Sequence, residues 1–351
     1  MTMNIWLMEG LSSQRDIIQG ITAFAENTQH SIAVFASHRH QRNEILSQAD
    51  FSFSEPSEED QRLAFILSRV KQHAIHAIHT GRNSHWFETN RDVIESSGVT
   101  LTTGASNLAM LDLADDKVSF ALEMEKCGLP VVPSVRVDSA LQLRQLLADS
   151  PFGSAPLCVK PVKGIYGMGF WRFDESASSM SAFTHPENRR VNPFYYLQAL
   201  EAAGDFEPLV LMPWLPGPEY SVDMLVEKGN VLAAVARRKE GALQHLENSG
   251  EAFELGCACA EAMQADGLVN VQTRHDNCGK PCLLEINMRP SGGIGYTRHS
   301  GVNLPGLFAM KKLGLMSDEH ISDTARRDFS PATIRAITDV IRYQPLTNSL
   351  P

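Results

Sequence analysis

Short apolar runs alternate with amphipathic stretches through the first third of the chain. Asn4 to Met8 predicts a buried strand, the spacing from Gln14 to Glu26 after Ser12 or Ser13 predicts a capped helix, and Ser31 to Ala36 predicts a second strand. Acidic Glu55 to Asp60 opens a helix through Lys71 with its charges at the favourable amino end. Ile75 to His79, a helix around Trp86 to Ser96, and a short strand from Gly98 to Leu101 continue the rhythm. Such alternation implies a parallel sheet covered by helices on both faces. The turn after the first strand, Glu9 to Ser12, carries no dinucleotide glycine fingerprint, so nicotinamide chemistry is not expected.

The pattern changes near residue 110. Asp115, Asp116 and Lys117 open an amphipathic helix over Val118 to Cys127, which Gly128 to Ser134 stops with a glycine and two prolines. Leu157 to Lys160 predicts a strand, and Lys163, Gly164, Gly167 and Gly169 lie between it and the next strand-like segment. A glycine hairpin of this kind has backbone amides free to fold over phosphates. It lacks the lysine and hydroxyl of a Walker loop, and Lys160 supplies the positive charge instead. Leu209 to Glu227 predicts two strands around a proline and glycine turn. Met212, Trp214 and Leu215 would expose backbone groups there, and Glu219 would accept hydrogen bonds; a solvated hairpin with an ordinary acidic residue fits the same residues.

The most informative segment is Leu283 to Gly293, LLEINMRPSGG, which sets Glu285, Asn287 and Arg289 on alternate positions at the end of an apolar strand. Alternate strand residues share a face, so a carboxylate, an amide and a guanidinium are expected together. Oxygen ligands beside a fixed cation suit a divalent ion and a polyphosphate. Leu268 to Thr273 predicts the partner strand, joined through the polar turn His275 to Lys280. Arg237 and Arg238 end another strand, Val231 to Ala236, and point to opposite faces, with Arg237 the better placed to reach a triphosphate or substrate. Arg298 and His299 follow the glycine turn, and Arg82 follows a strand's carboxyl end, where open α/β sheets bind ligands. His73, His76 and His79 straddle a helix end and a strand and so do not form a metal face.

Charge and composition narrow the classes. A net charge of -10 argues against a broad nucleic-acid or anionic-membrane surface. The hydrophobic fraction of 43% and mean hydropathy of -0.17 describe a globular chain, and its length allows two or three domains. No signal peptide or membrane span is evident, so a cytoplasmic location is expected. The six cysteines are too few for a disulfide-built fold, and their spacings miss the usual zinc knuckle.

Taken in order, Lys117 after two aspartates, Lys160 in VKP, the glycine loop, MPWL followed by Glu219, and EINMRPSGG resemble the ATP-grasp superfamily. The likeness is to the carbamoyl phosphate synthase and biotin carboxylase branch, as a single-module carboxylate-amine ligase. It implies a parallel α/β pre-ATP-grasp domain over residues 1–110, then a two-lobed α+β ATP-grasp domain. In that division, residues 111–205 form the small lobe with the lid and residues 206–351 form the large lobe. The resemblance assigns Lys117 and Lys160 to phosphate oxygens, Leu215 to adenine and Glu219 to ribose. It assigns Gln272, Glu285 and Asn287 to Mg²⁺ or Mn²⁺, with Gln272 standing where Asp or Glu is frequent. Lys160, Arg289 and Arg237 then stabilise the reaction. The implied activity is ATP-dependent, ADP-forming ligation of a small-molecule or peptide carboxylate to an amine or thiol through an acyl phosphate. A phosphotransferase and an ATP-binding regulatory module are the alternatives, and a homodimer is compatible with the resemblance.

Overall fold

The computed structural model describes residues 2–10, 13–164 and 167–343. The chain forms two compact units. One comprises the amino-terminal stretch through Leu111, Pro218–Gln272 and the stretch from Ile286 onward; the other comprises Asp112–Gly217 and Thr273–Glu285.

The first unit opens with the expected alternation. Strands β1 (Met3–Leu7), β2 (Ile32–His38), β3 (Phe51–Ser54), β4 (Ala77–His79) and β5 (Thr100–Thr102) form a parallel sheet in the order β3-β2-β1-β4-β5. Its strands are buried on both sides, as parallel sheets require. Ile5, Leu7, Val34, Ala36 and Ala77 pack with Ile17, Ile18 and Ile21 of the helix Gln14–Thr28. Trp6, Phe35, Phe53 and Ile78 face the other way, onto Ile66 and Val70 of the helix Glu59–His73. Ser13 precedes the first helix but makes no side-chain cap, and Ser12 lies outside the described residues. The helix expected around Trp86 to Ser96 is two, Ser84–Thr89 and Arg91–Glu95, divided at Asn90.

A two-residue strand, β6 (Gly104–Ala105), leaves the parallel sheet. Gly104 has φ +95°, and a Cβ there would lie 1.8 Å from the Met288 carbonyl oxygen, so the backbone approach requires glycine.

In the second unit, β7 (Val135–Val137), β8 (Leu157–Pro161), β9 (Trp171–Phe173), β10 (Arg190–Val191) and β11 (Leu209–Pro213) pair in the order β10-β9-β8-β11-β7. β8 and β9 are antiparallel, with Cys158 opposite Arg172, and the glycine loop joins them as expected; Ile165 and Tyr166 of that loop lie outside the described residues. Val159, Leu209 and Leu211 pack under helices Ala140–Asp149 and Pro193–Ala203, while Cys158, Val210 and Met212 pack with Val132, Val162 and Leu215.

The largest sheet runs β16-β15-β12-β13-β14-β17, with β6 added to β15. Its strands are β12 (Glu219–Glu227), β13 (Asn230–Glu240), β14 (Leu243–Glu247), β15 (Ala265–His275), β16 (Pro281–Asn287) and β17 (Ala332–Arg335). Leu225, Val235, Leu246 and Leu268 bury one of its faces with Leu307 and Phe308 of the helix Leu304–Lys312. No helix among the described residues is long and apolar enough to cross a membrane.

Candidate active site

Lys117 is fixed by the start of its helix. Asp116 caps that helix by accepting from the amides of Val118 (3.1 Å) and Ser119 (2.9 Å), and it also receives Arg136 at 3.1 Å. Burial pushes the Asp116 carboxyl up, but those amides and Arg136 outweigh it and hold it below its ordinary value. The Lys117 ammonium donates to the carbonyls of Val162 and Gly164, each at 3.2 Å, at the root of the glycine loop. It lies 3.6 Å from Glu285 Oε2, and Lys160, on β8, lies 3.9 Å from the same oxygen. Two ammonium groups thus face one carboxylate, which leaves net positive charge beside a loop of bare backbone. Lys163 is exposed on that loop, and Gly167 and Gly169 have φ of +65° and +71°.

At the end of β11, buried Cys158 directs its thiol at the carbonyls of Met212 (3.6 Å) and Pro213 (3.8 Å). Burial pushes that thiol up to about 12, so it stays protonated. The Trp214 amide is spent on the Pro156 carbonyl at 2.6 Å, and its ring is covered by Arg172 at 3.8 Å and Arg274 at 5.8 Å. The next amide, that of Leu215, is given to no group among the described residues.

In the first unit, Glu219 begins β12 and pairs with Lys239 across from it on β13. Gln272 lies on β15 and Asn287 ends β16, two positions after Glu285. Arg289 falls beyond that strand, so simple alternation does not extend to it. It lines a crevice with Leu7, Gly10, Gln14, His79 and Gly81.

Arg237 is placed otherwise than an arginine open to a triphosphate. It is 4% exposed and donates to Asp223 (2.7 Å), Gln244 (2.8 Å), Ser221 (3.0 Å) and Ser291 (2.8 Å), with its guanidinium 5.8 Å from the Tyr296 ring. Asn270 completes the network by donating to Ser221 and Asp223, each at 2.9 Å. A Cβ on Gly293 would come within 2.6 Å of this guanidinium, so Arg237 forms the floor under the Ser291 to Gly293 turn.

The carboxyl ends of the parallel strands carry a cluster whose members, Arg82 apart, the sequence did not single out as functional. Glu9, 2% exposed, accepts from Arg39 at 2.5 and 3.0 Å and from Arg82 at 3.1 Å. Burial pushes the Glu9 carboxyl up, but Arg39's hydrogen bond and the charges of His38 and Arg39 prevail and lower it to about 2. His79 is 4% exposed, and neither ring nitrogen has a hydrogen-bond partner among the described residues. Burial, with Lys312 as a second cause, lowers His79 to about 4. The two groups make separate acid limbs. Both have depressed values, so the unfolded chain takes up their protons more readily and stability falls as pH falls. His79 loses its share first, from its ordinary 6.5 down to about 4, and Glu9 loses its share from 4.5 down to about 2. Denaturant titrations from about pH 7 to about pH 4 are expected to show roughly 3 kcal/mol of loss that His79→Phe removes. An unchanged acid limb in the variant would refute the assignment.

Residues 205–339 match the family model described as ATP-grasp in the biosynthetic pathway with Ter operon. That stretch of the chain resembles an ATP-grasp domain. Among curated proteins it resembles the carbamoyl phosphate synthase large chain of Pyrococcus furiosus, at 24% identity over 243 residues. That match covers 63% of this chain and 20% of the relative, so the chain spans about a fifth of the relative's length. The fold of the L-amino acid ligase from Bacillus licheniformis superposes with TM-score 0.60 at 15% identity, covering 91% of this chain and 77% of that one. The biotin carboxylase of Campylobacter jejuni, solved with a β,γ-ATP compound, superposes with TM-score 0.62 at 15% identity, covering 90% and 72%. The expected mixed fold, a parallel amino-terminal sheet followed by largely antiparallel sheets, is present and is shared with these structures.

Proposed function

We propose that the protein is an ATP-dependent, ADP-forming ligase that joins a carboxylate to an amine through an acyl phosphate. The observation that carries this reading is the approach of Lys117 and Lys160 to Glu285 beside the glycine loop. Phosphoryl transfer asks a protein for alignment and charge neutralisation more than for covalent chemistry. Lys117 and Lys160 would hold phosphate oxygens, the Leu215 amide would meet the adenine edge, and Glu219 would take the ribose hydroxyls once released from Lys239.

The donor set suits Mg²⁺ in company with a nucleotide. Glu285, Asn287 and Gln272 offer hard oxygens but one negative charge, and among the described residues no group of three His, Cys, Asp or Glu could hold a metal. A site this sparse needs phosphate oxygens to complete it, as Mg²⁺ sites in phosphoryl-transfer proteins do. When bound, the ion would supply Lewis-acid neutralisation of the polyphosphate.

In the first step a carboxylate oxygen of the donor attacks the γ-phosphorus, the bond to the β-γ bridging oxygen breaks, and ADP leaves. In the second, the amine nitrogen attacks the acyl carbon, phosphate departs with the former carboxylate oxygen, and the nitrogen loses a proton. Arg289 would neutralise the carboxylate, and the amides of Ser291 and Gly292, in the turn seated on Arg237, would face the tetrahedral oxyanion, the Gly293 amide being given to Ser291 Oγ at 3.1 Å.

The direct test is ADP and phosphate release from ATP with Mg²⁺ across pooled carboxylates and amines, with Lys160→Ala alongside. The expected result is release that requires one donor and one acceptor and falls at least about a hundredfold in the variant. Accumulation of a phosphorylated donor without phosphate release would favour the phosphotransferase reading, and nucleotide binding without turnover would favour the regulatory one.

A further inference from the structure

The segment Pro213 to Gly217 is strapped along its length. Pro213 still pairs with Leu157 at the end of β11. The Trp214 amide goes to the Pro156 carbonyl at 2.6 Å, the Gly217 amide goes to the His275 carbonyl at 3.1 Å, and the Gly217 carbonyl accepts from Arg274 Nε at 3.1 Å. Pro213 and Pro216 have no N–H to give. The Leu215 amide is thus the one backbone donor of the segment without an acceptor among the described residues. One more strap is a side chain: the Arg172 guanidinium lies 3.8 Å from the centre of the Trp214 ring. We propose that Arg172 is a positioning residue for the nucleotide base, which acts by stacking on Trp214 and so holding this segment with the Leu215 amide aimed at the purine edge; this rests on the ATP-dependent reading above.

The sheet register explains how the two side chains meet. Arg172 on β9 stands opposite Cys158 on β8, and Cys158 stands opposite Met212 on β11, so the three share one face of the sheet. Lys160 follows Cys158 by two residues and has that face too, and Trp214 packs on the cluster that Cys158 and Met212 form there. Arg172 therefore reaches across Cys158 to the ring, on the face that carries the phosphate lysine of β8. Its guanidinium has no salt bridge and no side-chain hydrogen bond among the described residues, and its Nε is buried. Asp174, two residues on, pairs with Arg190 at 3.6 Å. A guanidinium that gives up hydrogen bonds needs another partner, and the indole face supplies one. The planar group of arginine suits such a stack better than a lysine ammonium does. Arg172 thereby ties the strand leaving the glycine loop to the segment that presents Leu215, and its effect falls on the base end of the nucleotide.

Calorimetric titration of the full chain with a non-hydrolysable ATP analogue and with inorganic tripolyphosphate, each with Mg²⁺, separates the base end from the phosphates. The variants are Arg172→Met, Trp214→Leu, Trp214→Phe and the double variant Arg172→Met with Trp214→Leu. Arg172→Met and Trp214→Leu are each expected to weaken the analogue about tenfold. Tripolyphosphate affinity should be unchanged in Trp214→Leu, which keeps every charge, and should change far less than analogue affinity in Arg172→Met. Trp214→Phe keeps an aromatic face and should bind the analogue nearly as the wild type does. Adding Arg172→Met to Trp214→Leu should cost nothing further, because the arginine acts through the ring. Wild-type analogue affinity in Arg172→Met would overturn the proposal. So would additive losses in the double variant, or equal losses of analogue and tripolyphosphate, which would make Arg172 a charge for the phosphates. Should Arg172→Met fail to fold, the two Trp214 variants decide: equal analogue affinities in Trp214→Phe and Trp214→Leu would overturn the stack. A wild-type chain that binds neither ligand, or tripolyphosphate alone, would instead bring down the ATP-dependent reading and the proposal with it.

Discussion

Glu285→Gln is expected to lower ATP turnover about a thousandfold or more while changing the unfolding free energy by no more than about 1 kcal/mol. The two halves of that expectation have different origins. Glu285 is partly exposed, and its contacts with Lys117 and Lys160 at 3.6 and 3.9 Å are loose, so little folding energy depends on them. In the proposed reaction the same carboxylate is the only anionic member of the donor set, and glutamine keeps its shape while removing its charge. Thermal unfolding and single-turnover ADP formation, measured on one preparation, separate the effects. An active Glu285→Gln enzyme would defeat the metal assignment, and an unfolded one would move Glu285 from chemistry to structure.

The largest stability effect is expected at Asp223. It is fully buried, accepts from Arg237 at 2.7 Å and from Asn270 at 2.9 Å, and has no solvent to take over when it is removed. Asp223→Ala leaves a guanidinium buried without its counter-charge, a change that costs about 3–5 kcal/mol. Replacing both members with apolar residues, Asp223→Leu with Arg237→Met, should recover much of the loss, because the cost is that of an uncompensated charge more than of a missing attraction. Urea denaturation of the two variants decides this. Equal losses in the single and double variants would mean that packing, not charge, sets the value of the pair.

These residues also mark where the amino-acid sequence was legible. The EIN strand could be read because its apolar residues are uninterrupted up to Asn287, and the strand does end there. Arg289 was placed on the same face by extending the alternation two residues too far, past the bend that leads into Pro290. Arg237 looked like a free strand-end arginine because its counter-charge lies fourteen positions earlier, on the neighbouring strand, and periodicity along β13 carries no trace of it. β3 was overlooked because Phe51–Ser54 alternates aromatic residues with serine over four residues, too short for a strand signal until Phe35 stacks on Phe51 and Phe53. The helix break at Asn90 has no proline or glycine to announce it; the Asn90 side chain donates to the Trp86 carbonyl. Glu9, Arg39 and Arg82 were scattered over three loops, and the parallel order of β1, β2 and β4 is what gathers them.

The path of one oxygen atom tests the central claim most directly. With the donor carboxylate carrying oxygen-18, an acyl-phosphate ligase must deliver one labelled oxygen into inorganic phosphate for every product formed, and that is the result expected here. Unlabelled phosphate, or label retained wholly in the donor while ADP accumulates, would contradict it.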